Sequence, residues 1–174
     1  SMDVSQYLDV FIDESNEHIQ SLSDNIMILE KEPENADTIN EIFRAAHSLK
    51  GMAGTMGFKK MQHLTHDMEN VFQEVRNDNV KVNSDLIDIL FDCLDAIEGY
   101  VSTIKDTSDE GPEDNAVTIQ KLNDFLTKGT GSGIVSEKTP EVETIVAENA
   151  SETNNSDEQN DVAEFLVFLI DCFH

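Results

Sequence analysis

The sequence predicts an all-α protein: an up-down four-helix bundle with an additional fifth helix, followed by a disordered acidic tail. Three observations predict it. Four segments place apolar residues at the 3.6-residue spacing of a helix with one buried face. No segment before residue 160 alternates with period two over a useful length. Composition then changes sharply after Lys128, where aromatic side chains disappear.

In the first helix Leu8, Phe11, Ile12, Ser15, Ile19, Leu22, Ile26 and Leu29 share a face. Pro33 ends that pattern, because proline lacks a backbone N–H and clashes with the preceding turn. The second runs through Ile39, Ile42, Phe43, Ala46, Leu49, Ala53 and Met56, with Asn35 or Asp37 available as N-cap. Met61, Leu64, Met68, Val71, Phe72 and Val75 form the third stripe. The fourth follows Asn83 or Ser84 as N-cap and contains Leu86, Ile89, Leu90, Cys93, Ile97, Val101 and Ile104. A weaker fifth pattern, near residues 113–127, contains Val117, Ile119, Leu122, Phe125 and Leu126. Short polar connections are those of antiparallel neighbours.

Residues 3–128 therefore form the expected bundle. Residues 129–161 open with a Gly-Ser-rich run and carry eight acidic side chains against one lysine. Such a stretch buries too little apolar surface to offset its chain entropy and reads as a flexible acidic linker. Residues 162–174 are apolar again but too short to span a bilayer as a helix. They read either as the start of a truncated next domain or as a segment that docks on the bundle.

The 174 residues hold 11 Lys+Arg and 36 Asp+Glu, a formal net charge of −25. That balance argues against nucleic acid, whose phosphates need cations, and against insertion into anionic membranes. Cys93 and Cys172 are too few and too distant for a disulfide framework or a zinc site. With no basic, apolar leader, the expected compartment is the cytoplasm.

Against this acidic background, Arg44, Lys50, Lys59 and Lys60 fall in one segment that holds no Asp or Glu. The same segment contains His47, about 100° around the helix from the core residue Ala46 and so at the rim of the buried stripe. Arg44, Lys50 and Gly51 lie three or four residues from it, and Gly54 extends the row. A helical glycine costs about 0.8–1 kcal/mol relative to alanine, so two beside one histidine point to close approach by a partner or a phosphoryl group. Lysine here is expected to be a mobile surface charge for phosphate oxygens. On the third helix, Glu69 is placed to accept the Nδ1–H of His47, which would fix the tautomer and leave the Nε2 lone pair outward. His63, His66 and Glu69, with His47, also approximate a metal ligand set, but the nearby Lys50 repels a cation and the expectation is no metal.

The run Phe43-Arg44-Ala45-Ala46-His47-Ser48-Leu49-Lys50-Gly51, with Gly54-Thr55-Met56-Gly57-Phe58 and His66-Asp67-Met68-Glu69-Asn70, resembles the histidine phosphotransfer (HPt) domain at the N-terminus of CheA-type chemotaxis histidine kinases. The resemblance covers roughly residues 3–128. It implies that His47 is phosphorylated on Nε2 by the ATP-binding kinase domain and passes the group to an aspartate of a response-regulator receiver domain. It further implies that Glu69 orients His47 and that Lys50 and His66 assist transfer. The chain has no Gly-rich nucleotide loop and no P-loop. By itself it is expected to be a carrier with no cofactor, ATP and Mg being bound by the separate kinase domain of a parent phosphotransferase. The competing class is a non-catalytic acidic helical interaction module.

Overall fold

The computed structural model describes residues 3–129 as five helices: α1 (Val4–Lys31), α2 (Ala36–Met56), α3 (Lys59–Arg76), α4 (Ser84–Thr107) and α5 (Ala116–Gly129). The expected linker at 129–161 begins at the last of these residues, and its remainder and the apolar segment 162–174 lie outside the described residues. The first four periodic stripes became buried helix faces, joined in one core that includes Phe11, Leu22, Ile42, Leu49, Met68, Phe72 and Leu90. Of the fifth, Leu122 is buried, Ile119, Phe125 and Leu126 are half-buried, and Val117, at the first turn of α5, is exposed to solvent.

Local chemistry chooses the helix ends. Of the two candidate caps for α2, Asn35 is used, its side-chain oxygen accepting the Thr38 N–H at 3.1 Å. Asn83 does the same for α4, accepting from Leu86 at 2.9 Å. α2 stops at Gly57, whose φ of 78° is left-handed, and Phe58 N–H then donates back to the Ala53 carbonyl at 2.9 Å. Phe58 turns into the core against Phe11, ring centroids 5.1 Å apart.

That two-residue turn makes α2 and α3 a tight antiparallel hairpin, and these two helices pack most extensively of any pair. α1 packs on α2 and α4, while α3 and α4 touch little. α5 fills the seam between α3 and α4 and buries Leu122 completely. The fifth helix is thus a wedge in the wall of the bundle. Among the described residues, no helix is long and apolar enough to cross a membrane.

α3 begins without a cap of its own, because Phe58 has no side-chain acceptor. Glu110, from the α4–α5 connection, supplies it. Its two oxygens accept the Lys60 and Met61 N–H groups, each at 3.0 Å. The Lys60 ammonium returns the contact by donating to the Gly111 carbonyl at 2.7 Å. The acid-free basic segment of the sequence therefore holds a buried carboxylate in space, and Lys60 is engaged by that loop.

Candidate functional site

The hairpin sets the site by simple counting. Two antiparallel helices of equal rise bring residues equidistant from the turn to the same height. His47 and Glu69 each lie eleven positions from Phe58, Lys50 and His66 eight, and Gly54 and Gln62 four. The first and third pairs meet in the folded protein, and Lys50 and His66 line one recess.

His47, with a side chain 19% exposed, places Nδ1 3.0 Å from Oε1 of Glu69. An ionised carboxylate only accepts, so Nδ1 carries the proton and donates it. Nε2, on the other edge of the ring, then has the lone pair. Phe43, one turn earlier, lies nearly parallel to the imidazole, with centroids 6.0 Å apart and planes 11° apart. Arg76 at the end of α3 covers the Phe43 ring, its guanidinium carbon 4.2 Å from the centroid. The ring of His47 is held by a carboxylate at its edge and an aromatic neighbour alongside.

Lys50 departs from expectation. Its side chain is only 3% exposed, and Nζ lies 2.7 Å from Oε2 of Glu69. The mobile surface cation of the sequence is a buried partner of the orienting carboxylate. The reason is position: Lys50 follows the core residue Leu49, and α3 covers it. At that distance the ammonium compensates the Oε2 charge directly. Burial pushes the Glu69 carboxyl upward, but hydrogen bonds from His47 and Lys50, with their charges, outweigh burial and leave it below the usual carboxylate range.

Gly54 also serves a different end. A Cβ there would lie 2.7 Å from Nε2 of Gln62, so the open face of Gly54 is occupied by the end of the Gln62 side chain. Arg44 is exposed and pairs with Glu41 at 3.8 Å, away from the imidazole. Gly51 is half-buried on the turn after His47.

His66 belongs to a second cluster. Its Nδ1 lies 3.4 Å from Oδ1 of Asp67, and Nε2 of His63 lies 3.5 Å from Oδ2 of the same buried carboxylate. The candidate metal set is therefore divided, Glu69 serving His47 and Lys50 while Asp67 faces His63 and His66. Among the described residues, no group of three or more His, Cys, Asp or Glu is placed to hold a metal ion. Gln62, Asp67, Arg76 and Glu110 had no assigned role in the sequence, and Phe43 was assigned only to the apolar stripe of the second helix. Hairpin counting finds Gln62 and i, i−4 spacing finds Phe43, whereas Glu110 arrives from fifty residues away with no local signal.

Comparison with known proteins gives the same picture. The family model for the Hpt domain matches residues 6–100. The chemotaxis protein CheA of Bacillus subtilis is 48% identical over 122 residues, 70% of this chain and 18% of that protein. The CheA phosphotransferase domain from Thermotoga maritima is 47% identical with a TM-score of 0.57, covering 60% of this chain and 99% of that one. The phosphorylated P1 domain of CheA3 in complex with CheY6 from R. sphaeroides shares the fold at 16% identity, with a TM-score of 0.66 over 71% of this chain and 97% of that one. The chain spans about a fifth of the length of the first curated relatives it matches. The match of the Hpt model over residues 6–100, with nearly half the residues shared with CheA chains over the same bundle, places the chain in the Hpt domain family, as a phosphotransfer domain of the CheA type.

Proposed function

We propose that His47 is the phosphoacceptor of this domain, loaded by an ATP-binding kinase domain and unloaded by a response-regulator receiver domain. The observation that carries this is the 3.0 Å contact from Nδ1 to the half-buried Glu69 carboxylate. It leaves Nε2 as the nucleophile. In loading, the Nε2 lone pair forms the N–P bond while the P–O bond to the nucleotide breaks and its electron pair leaves on the diphosphate. Positive charge then develops on the ring, and Glu69 meets it at the Nδ1–H edge. In unloading, a receiver carboxylate oxygen attacks phosphorus and the N–P pair returns to Nε2.

Lys50 supports this from behind. Its ammonium favours the ionised form of Glu69, so the acceptor for Nδ1–H is present throughout the cycle. Phe43 limits ring rotation from the side. An interaction module gains nothing from burying a carboxylate and an ammonium under a rim imidazole. The relatives support a receiver-domain partner: the matched proteins are CheA chains several times longer, and a neighbour of the same fold is bound to CheY6.

The test is labelling by ATP and Mg with a CheA-type kinase domain supplied in trans. Wild type is expected to take up acid-labile, base-stable phosphate, and His47→Gln none. Equal labelling of the two proteins would sink the reading.

A further inference from the structure

We propose that Asp67 is a positioning residue for phosphoryl transfer: it holds His66, seconded by His63, as a donor over a recess that receives the oxygens of the incoming phosphoryl group. This rests on the reading of His47 as phosphoacceptor and adds a second carboxylate–histidine unit beside the first.

The recess has a volume of about 210 Å³ and is lined by Lys50, Lys59, Gln62, His63 and His66. No carboxylate lines it, in a chain of net charge −25. It adjoins the nucleophile through Lys50, which is one helical turn from His47 and shares its Glu69 partner. Behind the rings lies Asp67, its side chain 9% exposed. Its Oδ1 is 3.4 Å from Nδ1 of His66, and its Oδ2 is 3.5 Å from Nε2 of His63 and 3.4 Å from Nδ2 of Asn123 on α5. The charged groups around the two rings are Asp67 and Lys59 on α3 and Lys50 on α2, while α5 brings the uncharged Asn123.

Imidazole chemistry gives this arrangement its direction. With Nδ1 turned to Asp67, the other nitrogen of His66 lies on the far edge of the ring. The protonated ring, with Nδ1 toward Asp67, donates Nδ1–H to that carboxylate and Nε2–H to a phosphoryl oxygen. Without that carboxylate, no group fixes which edge of the ring faces the recess, and Nε2 is not held toward the oxygens. Asn123 is the leg of Asp67 that leads to α5, so it separates positioning from support of the fold.

Phosphoramidate tests this on the whole chain without a partner protein. His47 Nε2 forms the N–P bond as the P–N bond of the reagent breaks, its electron pair leaving with the already protonated nitrogen as ammonia. Asp67→Asn is expected to slow labelling of His47 about tenfold, the range typical of lost supporting hydrogen bonds. His66→Gln, at a ring 44% exposed, is expected to slow it comparably, and adding Asp67→Asn to it to slow it little further, as for residues acting in series. Imidazole ¹⁵N shifts of neutral His66 should report an Nδ1–H tautomer in wild type that is lost in Asp67→Asn and kept in Asn123→Ala. His66→Gln reacting at the wild-type rate would overturn the proposal, as would equal slowing by Asn123→Ala and Asp67→Asn. Unlabelled wild-type His47 would overturn the phosphoacceptor reading as well, whereas a labelled His47 indifferent to Asp67 and His66 overturns this inference alone.

Discussion

Glu69 is the residue on which the site turns, because one carboxylate serves an imidazole N–H and an ammonium with its two oxygens. Its hydrogen bonds to His47 and Lys50 hold its pKa in the folded protein below the ordinary carboxylate value, against the opposing pull of burial. The unfolded chain then binds more protons than the folded one between the two values. Stability from Glu69 is therefore complete above the ordinary carboxylate range and is lost as pH falls through the depressed folded value. Glu69→Gln removes the charge at every pH and strips a carboxylate from the buried Lys50 ammonium. Breaking a buried pair from one side costs about 3 kcal/mol or more. The variant is expected to show that deficit at pH 7 in urea unfolding, and the deficit should shrink as pH falls below the ordinary carboxylate range and through the depressed folded value. A deficit that stays constant to pH 3 would mean that the pair is not the source. The same variant should label more slowly at His47, since an amide offers no negative charge to the developing imidazolium.

At the scale of helices, four stripes, their polarity and two of the caps were legible because periodicity and Asn side chains act locally. The pairing of His47 with Glu69 was legible too, since a Gly-Phe turn fixes the register of the hairpin and equal distances from Phe58 do the rest. What was not legible follows from the same geometry applied across chain separation. Lys50 reads as a surface charge on the wheel of α2 alone, and only the covering α3 buries it. Gly54 reads as an open approach until Gln62 is placed opposite. The α3 cap is the extreme case, because a carboxylate fifty residues downstream satisfies two N–H groups that nothing nearby serves. A buried, charge-assisted cap at a helix N-terminus contributes about 2 kcal/mol. Glu110→Ala is expected to lower stability by about that amount and to raise amide exchange in the first turn of α3, measured residue by residue. Unchanged protection at Lys60 and Met61 would show that the cap is dispensable. Because the effect is confined to the far end of α3, His47 should still accept phosphate in the folded fraction.

Over the whole molecule, the dominant fact is the charge of −25, against which the site keeps a small region of opposite sign. Two kinds of electrostatics are therefore superposed. Acidic side chains along the exposed helix faces repel one another through solvent, and salt screens such interactions over a Debye length of about 10 Å at 0.1 M and 3 Å at 1 M. The contacts of Glu69 with His47 and Lys50 are short and largely buried, so salt affects them far less. Exposed pairs such as Lys81 with Asp78 at 4.0 Å contribute little in either direction. Relief of self-repulsion should then prevail: raising potassium chloride from 0.05 to 0.5 M is expected to increase Tm by about 3–5 °C, on the order of 1 kcal/mol for a domain of this size. Chloride is the appropriate anion, since sulfate strengthens apolar burial by a separate route. A fall in Tm would mean that favourable surface pairs outweigh the net charge. The rate of phosphoramidate labelling should respond oppositely, because the anionic reagent is drawn to the cationic recess only while that local field is unscreened. Stability rising while labelling slows over the same salt range is the combined signature of an acidic scaffold built around a locally cationic phosphoryl site.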